Sequence, residues 1–291
     1  MEQSEQMQQM ELEEYRSGKK SLELSCYIAG AGAFGVFVRW LQLQMAFNEL
    51  GLADKSVFHI LVLLFVLAAG TLFWYFVRRF EKQRFYLPDE YTAAFSNEGR
   101  LYRIVCIAGG LIVCAGAALL YMQTGDDRNA ADYRTLAILA ILAGISFPVW
   151  LSFANSKTPV NINMLCVAAF LTMLFPAAWI VICYKLNTIN SVEWSYIPEL
   201  VTAAAAMFAF FRLGGYVFGR PRWRATLFTC MLATMLCIMS LADERFLGLQ
   251  VILIGLAVEL LLCCWIMVKN FCKGEAPPKK AKSTGGFEIL D

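Results

Sequence analysis

Four ionisable residues, Arg39, His59, Arg212 and Glu259, fall inside long apolar stretches of a 291-residue chain. A charged side chain in hydrocarbon costs a few kcal/mol or more unless it is paired or hydrated, so each is a candidate for intramembrane chemistry. Arg212 and Glu259 lie at nearly equal distances along the sequence from Pro198 and Phe246, which mark the outer ends of the sixth and eighth stretches. At a helical rise of about 1.5 Å per residue, both sit about 20 Å below the outer surface. Opposite charges at one depth predict an ion pair tying those two stretches together. The alternative has Arg212 snorkelling to the inner headgroups beside Arg220, with Glu259 protonated or facing water.

A second constellation lies near the outer ends. Arg39 and Gln42 belong to the first stretch, His59 starts the second and Glu199 starts the sixth. Together they would line a water-filled outer vestibule. Taken singly, Arg39 snorkels outward past Trp40 and His59 is an interfacial residue.

Other chemistries lack their residues. One histidine excludes the His-rich clusters of membrane oxidases, and there is no His-Glu-x-x-His, Gly-x-Ser-x-Gly, phosphate-binding Gly-rich loop or Cys-x-x-Cys. Most of the ten cysteines sit inside apolar stretches without ligand spacing and read as small packing groups. No catalytic residue, metal or cofactor is therefore expected, and an enzyme is disfavoured.

The elements that must position these residues follow from composition. The chain is 59% hydrophobic and 16% charged, with a mean hydropathy of +0.56. Soluble domains run at roughly 45–50% and about 25%. The apolar residues come in blocks long enough to cross a hydrocarbon core of roughly 30 Å. The expected fold is all-α, a polytopic membrane helix bundle of about eight transmembrane helices near 25–47, 57–78, 103–122, 134–154, 162–184, 199–218, 225–242 and 247–268. The first span is unusual in carrying Arg39, Gln42 and Gln44, and the seventh is short. Gly32, Gly35, Arg39, Gln42 and Ala46 recur at spacings of three and four, a stripe of small and polar residues that should face protein. Gly110 with Cys114 and Ala118, Ala140 with Gly144, and Gly215 with Gly219 suggest further close-approach faces. Pro148 and Pro176 should kink their spans and free carbonyls for water or a substrate.

Lys and Arg are retained on the cytoplasmic side of membranes. With the N-terminus inside, 18 basic residues fall in inner segments and only Lys55, Arg128, Arg134, Lys185 and Arg245 in outer ones. Both termini are thus expected to be cytoplasmic. Three cytoplasmic pieces then accompany the 25–272 transmembrane domain, one before it, one within it and one after it. Residues 1–24 are a helix-forming N-terminal segment, too acidic for a cleaved signal peptide. The loop 79–102 carries a helix start at Pro88, Asp89 and Glu90, with Tyr91 and Phe95 expected to press into the headgroups. Residues 273–291 read as a disordered basic tail, either without function or with Phe287–Asp291 as a docking segment for a cytosolic protein.

A net charge of +2 gives no footprint for nucleic acid. The lipid bilayer is the expected partner, and the oligomeric state is not legible. Short connections without a glycosylation sequon point to a prokaryotic plasma membrane. Two functions fit this reading. The leading one is a small-solute transporter or permease-like bundle, with Arg212 and Glu259 lining or gating a path between kinked helices. The other is a non-transporting scaffold, sensor or assembly component acting through its cytoplasmic segments.

Overall fold

The computed structural model describes residues 2–46, 56–97, 99–125, 129–155, 161–187 and 196–273. Apolar runs bounded by polar turns become helices α1 (Glu2–Met45), α2 (Ser56–Lys82), α3 (Tyr91–Phe95), α4 (Arg100–Gln123), α5 (Ala130–Phe153), α6 (Ile162–Asn187), α7 (Ile197–Val217), α8 (Trp223–Met239) and α9 (Leu247–Lys269). Strands β1 (Phe85–Tyr86) and β2 (Cys272–Lys273) complete the order. All of these helices but α3 are long and apolar enough to cross a membrane, eight in total, and each covers one span expected from hydropathy. The segment 1–24 and the first span form one helix, α1, without a break. A 3₁₀ turn at Ser240–Ala242 lengthens the short seventh span to 20 residues, about 30 Å at a helical rise.

Helix α9 is the axis of the bundle. In its most apolar window 72% of residues are buried inside the protein, against 22% in peripheral α2, as suits a helix that is apolar all round. It packs on α4, α8 and α1, while α4, α5, α6, α7 and α8 follow one another as neighbours. The α4–α9 seam brings backbone to backbone. A Cβ added at Gly248 would stand 2.2 Å from the Leu120 nitrogen, and one at Gly116 would stand 2.7 Å from the Ile252 nitrogen. With lipid as apolar as the side chains, such close packing is the main source of helix association.

The same device joins α4 to α5. Pro148 cannot donate to the Gly144 carbonyl, and a Cβ at Gly110 would meet that oxygen at 2.3 Å and the Pro148 ring at 2.6 Å. The freed carbonyl therefore lies against Gly110 and is closed to a path, contrary to the expectation for this kink. The first-span stripe faces protein as expected. Gly32, Gly35, Arg39, Gln42 and Ala46 are all buried, with Gly32 on Ile238 and Gly35 on Met239 of α8. Gly219 has another role than close approach. Its φ of +66° closes the end of α7, where the Arg220 N–H donates to the Gly215 carbonyl at 2.7 Å, a glycine-terminated helix stop.

One end of the bundle carries a folded platform. β1 pairs antiparallel with β2, Phe85 opposite Lys273, and Phe85, Phe80 and Trp223 gather around Phe271. Helix α3 begins after Glu90 as expected, but its aromatic face is turned into the protein. Tyr91 and Phe95 are buried against Trp150, and the Tyr91 hydroxyl donates to the Trp150 carbonyl. Burial pushes this phenol well above its usual range. The Asn270 amide donates to the Ala94 and Ser96 carbonyls at 2.9 Å. Aromatic side chains four apart on a helix find either lipid or protein, and here α5 and α9 supply the surface.

Candidate functional site

At the opposite end, polar side chains from five helices form one buried network. Arg39 of α1 donates through Nε to Asp243 Oδ1 at 2.7 Å and through Nη1 to the Gln42 amide oxygen. Gln42 must then turn its amide nitrogen to His59 Nδ1 of α2, which accepts. Asp243 lies in the α8–α9 turn and offers its second oxygen to Arg245 Nη2. Arg245 Nε reaches Glu199 Oε2 of α7 at 3.3 Å, and Trp179 Nε1 of α6 donates to Glu199 Oε1 at 2.7 Å. Gln250 of α9 donates to the Asp243 carbonyl at 3.1 Å.

Two guanidiniums and two carboxylates alternate, so the network's formal charge is zero. Arg39 is 1% exposed, Asp243 and Arg245 8% and Glu199 16%. Burial at this level is tolerated only where each charge is paired, and the alternation supplies the pairing, although Arg245 Nη1 is buried without a hydrogen bond. The four residues expected to meet near the outer ends are thus joined, through Asp243 and Arg245. The sequence reading passed over both. A partial signal was present: Asp243 and Arg245, opposite in sign and two apart, sit in the short turn between the seventh and eighth spans.

The expected pair of Arg212 and Glu259 does not form. Glu259 is 2% exposed and backs onto α4, where a Cβ at Gly109 would stand 3.1 Å from its Cγ. One of its carboxyl oxygens is buried with no hydrogen-bond partner. Arg212 stands on α7, which packs against α8, and α8 in turn packs against α9. Its guanidinium lies 6.0 Å from the centre of the Phe211 ring and lines a cavity of about 630 Å³ with Arg220 and Arg222.

No nucleophile stands beside a base in the network. Among the described residues no group of three or more His, Cys, Asp or Glu could hold a metal ion. Chemically, the network can fasten five helices or, if its pairs part, release them. The eight apolar helices and their buried polar junction define an integral, multi-pass membrane protein of all-α architecture. The chain matches no known protein family, no curated protein and no solved structure.

Proposed function

We propose that the protein is a non-transporting membrane component, a scaffold or assembly factor of a prokaryotic plasma membrane, whose working face is the platform end. That end would lie in the cytoplasm with both termini, as the excess of basic residues there favours. The observation that carries this reading is the order imposed on residues 85–97. β1 clamps β2, and α5 and α9 hold α3 by buried hydrogen bonds. A mere connector gains nothing from such ordering, which costs conformational entropy. A platform that fixes the position of Lys273 does. The tail and its docking segment Phe287–Asp291 lie outside the described residues, and a cytosolic protein is the proposed partner.

A second reading, the small-solute permease, is favoured by one feature, the unpartnered Glu259 oxygen at the bundle axis. Complementation of a deletion strain separates the two. For the component, a chain lacking residues 274–291 is expected to fail as fully as the deletion itself, while Glu259→Gln restores growth under every condition in which the deletion strain is impaired. For the permease the pattern reverses, with both proteins at wild-type abundance in the membrane.

A further inference from the structure

The cavity holding Arg212 lies between α6 and α7 at the platform end, and its lining is two-sided. Ala169, Gly214 and Gly215 make a floor with little side chain, and Phe170, Met173, Phe211 and Phe218 form the walls. Phe170, Phe211 and Phe218 are exposed on the perimeter of the bundle, where the surrounding medium is hydrocarbon. Three arginines close the other side. Arg212 stands five residues before the end of α7, about 8 Å along the axis, and the turn set by Gly219 folds Arg220 back over Gly215. Arg222 follows in the same connection. None of the three pairs with a carboxylate among the described residues, whereas neighbouring Arg224 is neutralised by Glu81 at 2.8 Å.

We infer that this groove is a binding site for one anionic phospholipid, its phosphate held by Arg212, Arg220 and Arg222 and an acyl chain laid along the phenylalanines. The volume, about 630 Å³, lies within the range of roughly 300–1,000 Å³ usual for small-molecule sites. Charge selects an anion, and basic pockets between spans at the headgroup level suit lipid phosphates. The lipid-facing aromatic walls select an amphiphile over a free anion, because a soluble phosphate would leave them uncovered. Arg212, expensive within a span, is then placed where its charge has a partner.

Native mass spectrometry of the full-length protein, released from nanodiscs of phosphatidylcholine doped with phosphatidylglycerol, tests the site. Wild type is expected to retain a single phosphatidylglycerol and no phosphatidylcholine. The variant R212Q/R220Q/R222Q should retain about a hundredfold less, since each basic residue near the surface contributes about fivefold to binding anionic lipid. Met173→Trp, which fills the groove and spares every arginine, should also lose the lipid. The variant R78Q/R79Q, which removes charge from the same end outside the groove, should keep it. Undiminished retention by the triple variant overturns the assignment, as does equal retention of phosphatidylcholine. Displacement of phosphatidylglycerol by inorganic phosphate overturns it too, because the site would then be one for a free anion.

Discussion

Replacing Asp243 with alanine is expected to destabilise the protein by about 3–5 kcal/mol, the range for breaking a buried ion pair and stranding its partner. Asp243 is the joint of the network, one oxygen on Arg39 and the other on Arg245. Its loss leaves two guanidiniums facing each other with only Glu199 for compensation. Arg39→Gln should cost less, because Asp243 keeps Arg245 and no like charges are left together. Thermal unfolding in nanodiscs would show a lower midpoint for both variants, ordered Asp243→Ala below Arg39→Gln. An unchanged midpoint for Asp243→Ala would mean that the network does not fasten the helices.

An equally large effect is expected at Gly248. A side chain there meets the Leu120 nitrogen at 2.2 Å and its Cα at 2.5 Å, and backbone cannot rotate aside as a flexible side chain can. Overpacking commonly costs about 1–3 kcal/mol, and with two helix backbones in contact Gly248→Val should fall at or above the top of that range. Gly30 supplies the comparison, since a Cβ there meets nothing within 4 Å. Gly30→Ala should be neutral, or stabilising by up to about 1 kcal/mol through helix propensity. Equal midpoints for Gly248→Val and wild type would show that α4 and α9 are not held at backbone contact.

What the sequence could and could not disclose divides along physical lines. Hydropathy is a property of a segment, so the eight helices were legible, as was the buried face of α1 through its spacing of three and four. Depth is also nearly one-dimensional, which is why Arg39, Gln42, His59 and Glu199 could be placed at one end. Which helices are neighbours is not. Arg212 and Glu259 stand on helices that each pack on α8, and their expected pairing failed on that arrangement. Asp243 and Arg245 went unnoticed because they lie between spans, where charges are ordinarily solvated. Whether Tyr91 and Phe95 turn to lipid or to protein depended on α5 and α9 standing above them, a tertiary fact with no local signal.

The central claim is that the axis of the bundle is packed and dry and that the protein acts from its platform end. Native cysteines test it directly. Cys230, Cys237, Cys263 and Cys264 are fully buried, Cys263 one turn from Glu259, while Cys272 is exposed on β2. A small membrane-impermeant maleimide applied to open native membranes, with labelling read peptide by peptide, should modify Cys272 and leave those four untouched until the protein is unfolded. Modification of Cys263 or Cys264 in the folded protein would place water beside Glu259, contradicting the packed axis and favouring a permeation path.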